Sequence, residues 1–358
     1  LFVATVVKTH INVFHIPYLK LFKEKGYKTY VCARNDYANK DDCVIPYCDQ
    51  YIDIPFSRTP FGKENLTAYA MLKQILEEND FEIVHCHTPV GGVLTRLAVR
   101  NLHMKNTRVI YTAHGFHFFK PIERWLSKYT DTLITINRED YERAKKFNAR
   151  RVELVNGIGI KDFNKPLSSD KLENKKKELS IMDKDIILLS VGELIKRKNH
   201  SMVIQAIALI KNPHIKYLIC GDGIMRGELE AMIRELHLEK QVFLLGFRRD
   251  INEICQIADI FVFASLQEGL PVALMEAMAS SLPVIASEIR GNKDLIKNGE
   301  GGLLFFPITV REIEKSIRYL VHNPDLWESM GKKNYKNVQG YSLEKVLPVM
   351  EKIYFGEK

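Results

Sequence analysis

The 358-residue chain has no apolar run of 18 or more residues, so no transmembrane helix is expected in it. It opens with LFVATVVKTH, apolar first and basic after. A secretory leader has the reverse order, so this stretch reads as a first strand. None of the six cysteines forms a CxxC pair, which argues against zinc-ribbon and thioredoxin-like chemistry. Cys32, Cys86 and Cys220 lie in apolar strand-like runs and are expected as buried thiols in a cytoplasmic protein. The run Thr5 to His10 after the first strand lacks the glycine fingerprint of a dinucleotide oxidoreductase. No basic stripe is interleaved with stacking aromatics, so nucleic acid is not an expected partner. Metal-ligand spacing is also missing. His85 and His87 flank Cys86 on one strand and so face away from it, and Asp183-Lys184-Asp185 precedes a strand, where it reads as a turn.

What is present is ordinary globular composition, 46% hydrophobic and 27% charged, at a length that suggests two domains. The formal charge is +8. Residues 1–160 carry 23 Lys and Arg against 17 Asp and Glu; the rest carries 29 against 27. The excess therefore sits in the first half, where it suits a phosphate-bearing ligand or an anionic membrane face.

Short apolar runs alternate with helix-length segments, the pattern of βαβ units and parallel sheets. Strands are expected at 1–7, 28–33, 81–86, 108–113, 131–136 and 152–155, then at 186–191, 216–220, 241–245, 259–263, 283–286 and 302–305. Runs such as IILLSVG are apolar on both faces, as in sheets covered by helices on each side. The Gly-, Ser- and Lys-rich stretch after Asn156 reads as a linker followed by a solvated helix. The α/β architecture expected is an N-terminal Rossmann-like domain over 1–160, a second over 161–338, and a helix over 339–358 packing back on the first. That last helix has its apolar residues on one face, with Pro348 expected to kink it.

The densest chemistry lies in SLQEGLPVALMEAMASSLPVIAS. Glu268 follows a strand at the end where α/β proteins bind ligands. Pro271 suits the first turn of a helix, and amides around Leu270, Pro271 and Val272 suit a phosphate. Glu276 lies among apolar neighbours, so its carboxylate needs a donor such as a hydroxyl pair. Further back, Arg197 and Lys198 stand at a helix start, where cations oppose the helix dipole and favour an anionic ligand. Cys220-Gly221-Asp222-Gly223 is one residue too long for a GxGxxG match. In the first half, His114 follows a strand and precedes Gly115.

On these residues the chain resembles the retaining GT-B glycosyltransferases of family 4, in the bacterial capsule and exopolysaccharide branch. Glu268 and Glu276, with seven residues between them, match that family's paired-glutamate motif. The resemblance implies two Rossmann-like domains facing across a cleft, with the C-terminal helix crossing back. It implies transfer of a sugar from a nucleoside diphosphate sugar, with UDP favoured, to a hydroxyl of a glycan or lipid-diphosphate-linked acceptor, with retention. Implied roles are catalysis and sugar contact for His114 and Glu268, phosphate binding for Gly192, Arg197, Lys198, Leu270, Pro271 and Val272, and nucleoside binding for Glu276, Gly246 and Phe247. Glu193 stands where the family has an arginine, so Arg197 is assigned the missing charge. His10, His87, His117 and Arg290 are secondary candidates. The family often has a longer insertion after this loop, whereas here Phe119-Lys120 passes directly to Pro121: either the loop is short or residues are missing after Lys120. No cofactor or metal is implied, since the nucleotide sugar is a substrate.

Two other readings use the same residues. A nucleotide-sugar 2-epimerase of the same fold would need no acceptor. A non-catalytic nucleotide- or polyanion-binding protein would need only the positive charge. A cytoplasmic location with contact to the inner face of a membrane is the expected setting for a lipid-linked acceptor.

Overall fold

The computed structural model describes residues 1–37, 44–57, 59–100, 102, 106–116, 120–157, 159–160, 166–306 and 308–356. His117 and Cys43 lie outside the described residues. The chain divides into two units, Leu1–Gly159 with Leu343–Lys358, and Ile160–Ser342.

The first unit is built on a seven-stranded sheet. Its strands are β1 (Phe2–Val7), β2 (Tyr30–Arg34), β3 (Gln50–Asp53), β4 (Ile83–His87), β5 (Arg108–Ala113), β6 (Thr132–Thr135) and β7 (Arg151–Leu154). The order is β3-β2-β1-β4-β5-β6-β7, with every pairing parallel. The strand period of two sends Phe2, Ala4 and Val6 into one apolar core and Leu1 and Val3 into another on the opposite face. The closing helix Leu343–Phe355 adds Val346, Met350, Ile353 and Tyr354 to this second core. It runs on through Pro348.

The second unit holds a six-stranded sheet of β8 (Ile186–Val191), β9 (Ile215–Cys220), β10 (Val242–Gly246), β11 (Ile260–Phe263), β12 (Val284–Ser287) and β13 (Gly302–Phe305). Its order is β10-β9-β8-β11-β12-β13, again all parallel. Leu188, Ile260 and Val262 face one core; Ile187, Leu189, Phe261 and Phe263 face the other. Both sheets reverse strand order beside their first strand, at β1/β4 and at β8/β11. Open parallel sheets bind ligands at that reversal.

One strand was not expected from the sequence. β3 is short, stands at the sheet edge and has polar Gln50 and Asp53 at its ends, so it lacks the two-sided apolar pattern of its neighbours. Pro271 also differs from expectation. It stands before the helix Val272–Ala279 as its cap residue, in extended conformation, and not in the first turn. The stretch Lys196–Lys198 is a short 3-10 turn, and the α-helix starts only at His200, after Asn199 adopts a left-handed φ of 59°.

Candidate functional site

In the second unit the loops after β8 and β11 meet at the strand-order reversal. Gly192 leaves β8, and its amide donates to the Cys220 carbonyl at 2.9 Å. A Cβ at position 192 would stand 3.3 Å from the Lys198 stem, so any side chain there would press on it. After β11 the chain passes Ser265 and brings Glu268 back toward the β8 loop. The Leu266 amide donates to the Arg197 carbonyl at 2.8 Å and stitches the two loops together.

The side chains then converge. Lys198 Nζ lies 2.7 Å and Arg197 Nη1 lies 2.9 Å from the same Glu268 oxygen, Oε1. Arg197 also donates to the Gln267 carbonyl at 2.7 Å. Lys198 Nζ sits 4.9 Å from the centre of the Phe263 ring. Arg290 Nε reaches the Glu268 carbonyl at 3.4 Å, so this secondary candidate belongs to the same cluster. Glu193 is exposed and forms no ion pair with either cation.

Leu270, Pro271 and Val272 follow at the amino end of the helix Val272–Ala279. No side chain caps that end and no acid stands in its first turn. Its free amides and the positive end of its dipole favour an anion. The approach is tight at Gly291, where φ is 83° and a Cβ would fall 2.3 Å from the Gly269 carbonyl; both demand glycine. One turn into the helix, the Glu276 carboxylate accepts no hydrogen bond from the described residues, although its main-chain carbonyl accepts from the Ser280 amide at 3.0 Å. Burial alone pushes its carboxyl up to about 7. Gly246 at the end of β10 has a φ of 70°, and Phe247 after it is 76% exposed, an open aromatic face suited to stacking.

In the first unit the reversal carries imidazoles. His10 and His15 come from the chain after β1, His85 and His87 from β4, and His114 from the end of β5. Ring centres lie 4.0 Å apart for His85 and His87, 4.1 Å for His15 and His87, and 5.1 Å for His10 and His114. His10 Nδ1 and His15 Nε2 share a proton over 3.1 Å. His85 is tied on both sides, to the Tyr354 hydroxyl and to Thr112 Oγ1, each at 2.8 Å. Burial pushes His114 down to about 4, and burial with neighbouring imidazoles holds His10, His85 and His87 well below the usual range. The cluster is therefore neutral near pH 7. A neutral His114, whose buried Nε2 has no hydrogen-bond partner among the described residues, can offer a hydrogen bond and not a charge. Among the described residues, no group of His, Cys, Asp and Glu side chains could hold a metal ion.

Sequence reasoning named His10, His87 and His114 but not the tie from His85 to Tyr354, whose 269-residue separation leaves no local signal. The convergence of Arg197 and Lys198 on one oxygen was likewise not legible before folding.

Two all-parallel Rossmann-like units with this chemistry at the sheet reversals define the GT-B class. The comparisons with known proteins then give the family. Residues 171–337 match the model of glycosyl transferases group 1, and residues 19–158 match that of glycosyltransferase family 4. The chain is 37% identical over 370 aligned positions to the putative glycosyltransferase EpsD of Bacillus subtilis, covering 99% of this chain and 95% of that one. It is 30% identical over 314 positions to the UDP-Gal:alpha-D-GlcNAc-diphosphoundecaprenol alpha-1,3-galactosyltransferase of Escherichia coli, covering 81% and 79%. The chain belongs to the group 1, family 4 glycosyltransferases. Among solved structures, Anabaena HepE in complex with UDP superposes with a TM-score of 0.79 at 18% identity, over 99% of this chain and 98% of that one. WaaG, a glycosyltransferase involved in lipopolysaccharide biosynthesis, gives 0.75 at 17% identity, over 100% and 99%.

Proposed function

We propose that this protein is a retaining glycosyltransferase that moves a sugar from a UDP-sugar to a hydroxyl of a prenyl-diphosphate-linked glycan during exopolysaccharide assembly, at the inner face of the cytoplasmic membrane. The observation that carries the reading is the grip of Arg197 and Lys198 on Glu268 beside the uncapped helix that bears Glu276. Support for the acceptor class comes from relatives named for diphosphoundecaprenol-linked substrates, and support for uridine from neighbours solved with UDP. No helix among the described residues is long and apolar enough to cross a membrane.

In this reading the leaving diphosphate takes Lys198, Arg197 and the amides of Leu270 and Val272, the donors that stabilise charge as the glycosidic bond breaks; Pro271 between them has no N–H to give. Lysine has three donors and arginine five, so both can hold a phosphate oxygen while still touching Glu268. Glu268 accepts a donor-sugar hydroxyl, Glu276 the ribose hydroxyls, and Phe247 stacks on the base. To His114 we assign a hydrogen bond to a donor-sugar hydroxyl. The anomeric carbon loses its bond to the diphosphate oxygen and gains one to the acceptor oxygen on the same face. The acceptor proton passes to the departing phosphate oxygen, which balances the step and needs no metal or covalent enzyme intermediate.

The test is incubation of the purified chain with UDP-sugars, with and without a prenyl-diphosphate-linked monosaccharide. Acceptor-dependent UDP release and an axial-to-axial linkage by NMR are expected. A 2-epimer released from the donor alone, or an inverted linkage, would overturn the proposal.

A further inference from the structure

The helix Lys120–Leu126 of the first unit buries its acid and leaves two large apolar side chains outside. Its one acid, Glu123, points into the protein. Glu123 is buried, accepts from Arg96 Nη2 at 2.7 Å and from the Tyr111 hydroxyl at 3.4 Å, and Arg96 is itself fully buried. Two of its large apolar side chains point out, with Ile122 41% and Trp125 38% exposed, while Leu126 is buried. Arg124 and Lys128 are exposed beside them. The only carboxylate of this segment is thus removed from the surface, which keeps aromatics and cations.

Beside Trp125 lies a depression of about 610 Å³. Its apolar floor is Phe116, Pro121, Trp125 and Phe147, and its polar wall is Arg124, Lys128, Arg143 and Lys146 with Asn148. Arg143 is paired with Glu139 and Asp140. Among the described residues no carboxylate forms an ion pair with Arg124, Lys128 or Lys146. The Arg100 guanidinium lies over both Trp125 and Tyr129, 4.9 and 5.7 Å from the ring centres. An apolar trough walled by unneutralised cations matches a ligand with a hydrocarbon chain and a multiply charged head. A nucleotide or a free glycan supplies no hydrocarbon, and an uncharged lipid leaves the cations unused.

We propose that this trough holds the isoprenoid diphosphate end of the acceptor, with the first isoprene units on Trp125, Phe147 and Phe116 and the diphosphate on Arg124, Lys128 and Lys146. The proposal rests on the prenyl-diphosphate acceptor reading above and assigns its anchor to this unit.

The probe is farnesyl diphosphate in a neutral detergent, read by tryptophan fluorescence in the full chain carrying Trp327→Phe, which leaves Trp125 as the only tryptophan. Farnesyl diphosphate is expected to quench Trp125, to bind more tightly than pyrophosphate or farnesol, and to stay bound when UDP is added. Lys128→Glu with Lys146→Glu should weaken it about tenfold or more, since each cation near an anionic lipid head contributes about 1 kcal/mol, and should leave UDP affinity and the melting temperature unchanged. Equal binding of pyrophosphate, displacement by UDP, or an unchanged affinity in the double variant would overturn the assignment. So would loss of binding to anionic vesicles with farnesyl diphosphate affinity intact, since the occupant would then be the bilayer. If farnesyl diphosphate binds here as described but the wild type transfers sugar to no prenyl-linked acceptor, it is the acceptor reading that fails and not the site.

Discussion

Glu276→Gln separates a structural glutamate from one kept for a ligand. The carboxyl is mostly buried and without a hydrogen-bond donor among the described residues, and burial lifts it from an ordinary value of 4.5 to about 7. A folded value above the unfolded one means that the protonated form fits the ligand-free protein. Below about pH 4.5 both states are protonated and the group costs nothing; above about pH 7 it is ionised in both, and the whole penalty is felt. The shift corresponds to about 3 kcal/mol. Glutamine keeps the shape without the charge. The variant should therefore melt with the wild type near pH 4.5 and roughly 6–12 °C above it at pH 8.5, a shift of about 2–4 °C per kcal/mol for a unit of this size. UDP should reverse the ranking. Ribose hydroxyls donating to the carboxylate favour its ionised form, so wild-type binding should release a proton near pH 7 and weaken as pH falls below it. Calorimetry in buffers of different ionisation enthalpy measures that proton directly, and the variant should release none and bind UDP more weakly. A melting difference that does not change with pH, or UDP binding without buffer dependence, would refute the argument.

Lys198→Ala should lower kcat/KM by about 10²–10³-fold, the usual loss on removing one donor to a developing oxyanion, as read in a UDP-release assay. Glu268→Gln should abolish most transfer while binding UDP at least as tightly as the wild type, because the two cations lose their internal partner; weaker UDP binding by calorimetry would contradict this. Gly291→Ala places a Cβ against the Gly269 carbonyl at a positive φ and should cut donor affinity more than it lowers the melting temperature. Arg96→Ala leaves Glu123 buried without its partner and should destabilise the first unit by about 3–5 kcal/mol, visible in thermal melts.

The sheets were legible because most of the parallel strands are buried and apolar on both faces, and the twelve expected runs fall on observed strands. β3 escaped because an edge strand is wetted and its residues Gln50 to Asp53 carry no such mark. The site was legible where chemistry is local. Glu268 and Glu276 share one loop and helix, and a carboxylate among apolar neighbours announces itself. Contacts across 70 residues, such as Lys198 to Glu268, are set by which strand ends the sheet order brings together, and no short motif encodes that. The helix at Lys120 shows the same limit from the other side. Its sequence KPIERWL looks amphipathic in either sense, and only the buried Arg96 on a different helix decides that Glu123 turns inward.

The charge arrangement around Glu268 also constrains what the site can accept. In the free protein Arg197 and Lys198 converge on one Glu268 oxygen, so these three side chains carry one net positive charge, to which Arg290 and the uncapped helix end add. A neutral sugar gains little from that field. A monoanion would balance the side chains but leave the helix amides unused. A diphosphate spans both, since its two phosphates can meet the cations and the amides at once. The carboxylate meanwhile holds Arg197 and Lys198 in place before the ligand arrives, so little reorganisation is left for the moment of reaction. On the proposed function, Glu268 would thus position these cations before any sugar is bound. Its removal frees both cations for the diphosphate, so nucleotide binding should stay at least as tight, while transfer is lost with their ordering.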